Sequence, residues 1–189
     1  IFVAAGNSAS STGGQISIKS GASEVGQSGS LFLRTEKSSL GSSGGITMSS
    51  GNGFESGGIE IKSGASQTSS SGSIAIKGGA SAEESGSISI FTASSQNSDG
   101  GSIKIASGDS DLGQSGKIQI SSGKSRGDSG AITVESGKAA ESSGEVGIIT
   151  GDSVIDSGNI YFKSGSTANG IGGSISLSAG NSNSAVQGG

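Results

Sequence analysis

A repeat of 13 to 15 residues runs through the whole chain and constrains its fold more than any other feature. The unit reads [SG]-G-x-I-x-I-x-[ST]-G-x-S followed by a variable stretch, as in Ser56–Ser66 and Ser115–Gly123. A unit this short cannot bury its own apolar face, so neighbouring units must stack to form a core. The repeat therefore predicts a solenoid, and we treat residues 1–189 as one continuous array.

Two apolar columns appear when the copies are aligned. The first holds Ile1, Ile16, Leu31, Ile46, Ile59, Ile74, Ile88, Ile103, Ile118, Ile132, Val146, Ile160 and Ile175. The second holds Val3, Ile18, Leu33, Met48, Ile61, Ile76, Ile90, Ile105, Ile120, Val134, Ile148, Phe162 and Leu177. Apolar residues at period two with mostly polar residues between them are typical of a half-buried β-strand. We therefore expect these side chains to form the structural core.

The expected fold is all-β: a single-stack β-solenoid, or β-helix, of about thirteen coils. Each coil would bury about two large side chains, worth roughly 1.5 to 3 kcal/mol each, so that stability would accumulate only from neighbouring coils. The array begins on a core residue and ends on Gly188-Gly189 without a capping unit. We expect it to be a segment of a longer array, or a rod that joins others end to end.

Two glycine columns flank each aliphatic pair. The first, two places before the pair, is invariant and is expected where φ is positive or backbones approach closely. Its members are Gly14, Gly29, Gly44, Gly57, Gly72, Gly86, Gly101, Gly116, Gly130, Gly144, Gly158 and Gly173. The second follows the pair by three places and is replaced only by Glu36 and Ala93. These glycines predict turns.

A column of small residues follows the first aliphatic by seven places. It holds Ser8, Ser23, Ser38, Gly53, Ser66, Ser81, Ser95, Ser110, Ser125, Ala139, Ser153, Thr167 and Ser182. We interpret it as the inward face of a second, opposite strand. All variation in repeat length falls after this column, which places the loops there.

The composition by itself is typical of disorder. The chain has 38 Gly and 48 Ser among 189 residues, and only 29% of residues are hydrophobic. Few apolar side chains oppose the conformational entropy lost on folding. The regular columns outweigh the Ser/Gly-rich composition and predict an ordered chain. The absence of Pro is compatible with a hydrogen-bonded β-ladder.

Catalysis is not expected. The chain has no His and no Cys, which removes the common nucleophile and base arrangements as well as disulfides and thiolate metal sites. Ser/Lys chemistry is formally possible, but any match is uninformative among 48 Ser. We therefore assign no catalytic residue and no cofactor. A formal charge of −4 argues against nucleic acid and anionic membranes, and no apolar run is long enough to span a bilayer.

The sequence contains several patterns that resemble binding motifs, and none of them predicts a binding site. Acids such as Glu84 and Asp128 recur before the Gly step and could bind Ca²⁺, but the column is irregular, so a solvated loop face is favoured and no metal site is assigned. A basic column after the aliphatic pair, as at Lys19, is also interrupted. Ice binding would need a regular Thr array that is absent. The tripeptide Arg126-Gly127-Asp128 is explained by chance in so Gly-rich a chain.

The units, exemplified by Ser56–Ser66, resemble the Ser/Gly-rich tandem-repeat proteins predicted in diatoms and related algae. The resemblance implies a long secreted or cell-surface protein. The expected function is structural: a filament held by a continuous axial β-ladder, self-associating end to end and laterally, with possible O-glycans on outward Ser. The alternative is a surface-recognition module, adhesin-like or ice-binding, that uses one flat face.

Overall fold

The computed structural model describes residues 1–181, and over this range the backbone forms neither α-helices nor β-strands. Close approaches of the backbone are almost all between residues fewer than twelve positions apart. The chain divides into two units, Ile1–Ile90 and Phe91–Gly189. The same local elements recur within each unit: a bend, a glycine neck and an aliphatic segment.

The predicted β-solenoid is wrong, and so is its core. No side chain between residues 1 and 181 is buried. Ile1 is fully exposed, the rest of the first aliphatic column is exposed by 44% at Ile160 to 63% at Leu31, and the second column by 63% at Met48 to 86% at Leu177. Two aliphatic side chains per repeat do not offset the entropy of ordering about fourteen residues, each costing roughly 1 to 2 kcal/mol.

Twelve bends punctuate residues 1–181, one in each repeat. They lie at 9–11, 24–26, 39–41, 53–55, 67–69, 82–84, 96–98, 111–113, 126–127, 140–141, 154–155 and 168–170. Eleven of them begin directly after the column of small residues, and the bend at 53–55 begins on its member Gly53. The prediction that the loops occupy this variable stretch is therefore confirmed.

A glycine neck closes many of these loops. The backbone N–H of the glycine before an aliphatic pair donates to the carbonyl oxygen of the glycine that follows the preceding pair. The bonds join Gly14 to Gly6 (N···O 2.9 Å), Gly29 to Gly21 (2.9 Å), Gly72 to Gly64 (3.3 Å), Gly86 to Gly79 (3.3 Å), Gly116 to Gly108 (2.9 Å) and Gly173 to Gly165 (3.0 Å). Loop formation is therefore local, and it requires no contact between distant repeats.

The aliphatic segments keep the period-two geometry of a strand without a strand partner. Side chains two places apart meet on one side: Lys62 Nζ lies 3.1 Å from Glu60 Oε2, and the Asn159 amide nitrogen lies 2.9 Å from the Tyr161 hydroxyl. Residues i and i+2 share a face only where the backbone is extended. The alternation inferred from the sequence is thus present locally, although the ladder is not.

Candidate functional site: turn loops and aliphatic segments

Close approach explains some members of the first glycine column, and positive φ explains none. No residue between 1 and 181 has a positive φ. A Cβ at position 14 would lie 3.0 Å from both Ala5 Cβ and Gly6 N, and one at position 116 would lie 3.0 Å from Ser107 Cβ. These distances are tighter than most real Cβ contacts, so a larger residue would require the other wall of the neck to shift.

The residue before the second glycine forms the other wall of the neck. The three half-buried residues between positions 1 and 181, Ala5, Thr150 and Ser164, all occupy this place. Ser164 Cβ would lie 3.3 Å from a Cβ at position 173, and Thr150 Cγ2 would lie 3.5 Å from one at position 158. In these three repeats the neck therefore contains the least exposed residue.

One irregular repeat closes its neck with a side chain. Where Ala93 replaces the second glycine, the hydroxyl of Thr92 donates to the carbonyl oxygen of Gly101 at 2.9 Å. A Cβ at position 101 would lie 2.9 Å from Thr92 Cβ. The loop thus keeps a hydrogen bond across its base by a different donor.

The column of small residues begins each turn and does not face inward from an opposite strand, which corrects its interpretation. Ser or Thr oxygen at this position accepts a hydrogen bond from the backbone N–H two or three places on, the local motif that favours turns. It does so at Ser8, Ser23, Ser38, Ser66, Ser81, Ser95, Ser110, Ser125, Ser153 and Thr167. Gly53 and Ala139 have no hydroxyl, and Ser182 lies outside the described residues.

Loop length decides which amide the hydroxyl oxygen binds. Where eight positions separate the two ends of the neck, as in the Ser8, Ser66 and Ser110 loops, the donor is three places on. Where seven positions separate them, as in the Ser125 and Ser153 loops, the donor is two places on. A shorter loop must reverse direction in fewer residues, which selects the tighter turn. The eight-position loop of Thr167 departs from this rule and uses the amide two places on.

We define the aliphatic segment of a repeat as the two column residues, the residue between them and one residue on each side. These are 15–19, 30–34, 45–49, 58–62, 73–77, 87–91, 102–106, 117–121, 131–135, 145–149, 159–163 and 174–178. Within residues 1–181 no backbone N–H or C=O of these segments is hydrogen-bonded to another backbone group. Each segment therefore presents apolar side chains and unpaired backbone groups together.

Large apolar side chains also stand at several bends, where sequence reasoning missed them. Val25, Leu40, Phe54, Leu112 and Val154 occupy bend positions and are fully exposed. They follow no column, because only some repeats carry one, and this is why periodicity did not reveal them. A lone apolar residue within an otherwise polar variable stretch was the available signal.

Charge divides between the segments and the remaining residues. The aliphatic segments hold seven of the eleven bases and three of the fifteen acids, which gives a formal charge of +4. The bases are Lys19, Arg34, Lys62, Lys77, Lys104, Lys117 and Lys163. The turn loops and necks hold four bases and twelve acids, a formal charge of −8. Most of the bases therefore lie in the segments, and most of the acids lie in the loops and necks.

Ion pairing within the chain is sparse and local. Between residues 1 and 181, salt bridges join only Arg34 to Glu36 (3.0 Å) and Lys62 to Glu60 (3.1 Å), and all four side chains are about three-quarters exposed. Lys117 instead donates to Gln119 Oε1 at 2.8 Å. Most segment bases and loop acids therefore have no charged partner within the described part of the chain.

The other motifs lie on exposed backbone. Arg126 and Gly127 form the bend at 126–127, and the Gly127 N–H donates to Ser125 Oγ at 3.1 Å. No group of three or more acids within residues 1–181 converges to hold a metal ion. Nor does this range contain a helix that is long and apolar enough to cross a bilayer.

Comparison with known proteins leaves the chain without a relative by which to interpret these loops and segments. No family model matches it, and neither a curated protein nor a solved structure is detectably similar to it.

Proposed function

We propose that the chain is a structural protein that self-associates into filaments outside the cell or at its surface. The observation that carries this proposal is the aliphatic pair, which recurs every 13 to 15 residues and stays exposed to solvent. Repeated exposed apolar groups on a chain without a core are typical of interaction sites. The pairs act as contact points between chains.

Repetition makes weak contacts sufficient. Fully burying one aliphatic side chain contributes about 1.5 to 3 kcal/mol, which is too little for a stable complex once the cost of association is included. Twelve segments on one chain convert later contacts into intramolecular ones and raise the overall avidity. A second chain carries the same segments at the same spacing, so one matched contact aligns the others.

The backbone of the segments supports the same proposal. Their N–H and C=O groups have no backbone partner within residues 1–181, and their β-branched residues favour extended conformations. Segments of this kind add to one another between chains through backbone hydrogen bonds. The contacts proposed here join separate chains, in place of the coil stacking within one chain that the structure excludes.

A location outside the cell is proposed from the Ser/Gly-rich repeat and the chemistry of its surface. Ser8, Ser66 and Ser110 stand on exposed turns, where a hydroxyl is open to O-glycosylation. Glycans on the turns would leave the aliphatic segments free for contacts between chains. Mass spectrometry of native material locates such glycans directly.

Sedimentation velocity across a concentration series, with electron microscopy of the same samples, tests self-association. The test variant replaces the aliphatic pairs of two adjacent repeats: Ile59→Ser, Ile61→Ser, Ile74→Ser and Ile76→Ser. We expect the wild-type chain to form filaments and the variant to need roughly tenfold more protein, because four apolar contacts are lost.

The matched control replaces the same four residues by Val, which keeps the segments apolar and β-branched. This control should assemble nearly as well as the wild type. A wild-type chain that stays monodisperse at every concentration, or a Ser variant that assembles as readily as the Val control, would contradict the proposal. Saturable binding of a ligand by such a monomer would instead support a recognition module.

A further inference from the structure

We infer that the contact between chains is staggered: basic aliphatic segments of one copy bind acidic turn loops of a second copy. This inference rests on the proposed self-association and names its register and its chemistry. The partner is a second copy of this chain, because its loops hold acids that can pair with the bases of the segments.

Charge complementarity is the first observation that carries the inference. The segments sum to +4 and the loops with their necks to −8, since six of the twelve segments are net positive and six of the loops are net negative. Placing segment against segment brings like charges together, which disfavours that register. A shift of about half a repeat brings Lys19 or Lys77 of one chain to loop acids such as Glu24 or Glu83 of another.

The apolar bend residues supply the second observation. Val25, Leu40 and Leu112 are fully exposed at bends, and their loops therefore offer an apolar group to the aliphatic pair of a facing segment. A staggered contact thus buries apolar surface and pairs charges at the same time. Without these residues the aliphatic pairs would face only polar loops.

The scarcity of internal ion pairs supplies the third observation. Within residues 1–181, the charged groups of Lys19, Lys77, Lys104 and Lys163 make no salt bridge, and Glu36 is the only loop or neck acid that does. Both sets of charges are therefore available to a second chain. Their exposure means that dissolved salt screens the contact effectively.

Salt dependence is the first test. Raising NaCl from about 0.01 M to about 1 M shortens the Debye length from about 30 Å to about 3 Å, and we expect the wild-type association constant to fall on the order of tenfold or more. Sedimentation velocity measures this constant. An association that salt leaves unchanged or strengthens would overturn the stagger, since purely apolar contacts respond in that way.

Charge reversal is the second test. The segment variant carries Lys19→Glu, Lys77→Glu, Lys104→Glu and Lys163→Glu, and the loop variant carries Glu83→Lys, Glu84→Lys, Asp109→Lys and Asp111→Lys. Each variant alone should associate about tenfold more weakly than the wild type, because like charges then meet across the contact. An equimolar mixture of the two should regain association.

A matched control distinguishes the loss of specific charge pairs from repulsion caused by a more negative net charge. Lys37→Glu, Lys124→Glu, Arg126→Glu and Lys138→Glu change the net charge as much as the segment variant does, but the altered residues all lie in loops. The stagger predicts that this control associates as well as the wild type or better. Equal weakening of the control and the segment variant would overturn it.

The two proposals fail in different ways. If the wild-type chain does not associate at any salt concentration, both the filament and the stagger are wrong. If it associates and the aliphatic Ser variant does not, while salt and charge reversal have no effect, the filament stands and the stagger is overturned. Loss of association on both kinds of substitution supports both.

Discussion

At the scale of the residue, some glycines of the neck stand where there is little room for a Cβ atom. Gly14, Gly101 and Gly116 lie where a Cβ would approach a neighbouring atom to 3.0 Å or less, and no positive φ occurs within residues 1–181. The invariant column in the sequence is compatible with either cause. The structure distinguishes positive φ from close approach, because it places Ala5, Thr92 or Ser107 against these glycines as the other wall of the neck.

Replacing Gly116 by Ala is expected to open one neck. The added Cβ would lie 3.0 Å from Ser107 Cβ and 3.3 Å from Gly108 N, so the bond from Gly116 N to Gly108 O is lost. A hydrogen bond of this kind contributes about 1 kcal/mol, so exchange of the amide at position 116 should accelerate roughly fivefold. Gly123→Ala is the control, because its Cβ would meet nothing within 4 Å. Equal acceleration of the position-116 amide in both variants would contradict this account.

At the scale of the element, each loop is a self-contained unit of about eight residues. In most loops a Ser or Thr oxygen sets the bend, in six a hydrogen-bonded glycine neck closes the base, and both bonds join residues close in sequence. Loops closed by nearby residues cost little entropy, so they form without a core. In every loop with such a bond except that of Thr167, the length of the loop matches the amide that the hydroxyl oxygen binds.

Substituting Ser110 by Ala should loosen one loop alone. The bond from the Gly113 N–H to Ser110 Oγ, 3.0 Å long, disappears, and amide exchange at Gly113 should rise roughly fivefold for a loss of about 1 kcal/mol. Ser110→Thr retains the oxygen and should preserve protection. Exchange at Ser11 in the loop of Ser8 should not change, because each turn is bonded locally. A change there would indicate cooperation between loops.

At the scale of the whole molecule, no core forms among the described residues. Repeats of about fourteen residues with two aliphatic side chains each do not outweigh the entropy of ordering a chain rich in Ser and Gly. Ile59, Ile118 and their equivalents stay about half exposed. The apolar surface that would be internal in a solenoid therefore stays exposed to solvent.

Dilute, monomeric protein should show no cooperative unfolding. Without buried apolar surface, urea and heat have little surface to expose, so the far-ultraviolet circular dichroism signal should drift gradually and the dependence on urea should be shallow. The spectrum itself should be that of an irregular backbone. A sharp sigmoidal transition at concentrations where sedimentation shows only monomer would contradict the structure described here.

The sequence by itself determined the repeat, the location of the loops after the column of Ser8 and Ser66, and the local alternation of side chains at Ile59 and Ile61. These three features depend on residues that are close together in the sequence, so the pattern of residues along the chain predicts them directly. Whether the aliphatic columns would meet was decided only by the tertiary structure. That outcome depends on a balance between burial and entropy over many repeats, and the same period-two pattern serves contacts within a chain and contacts between chains equally well.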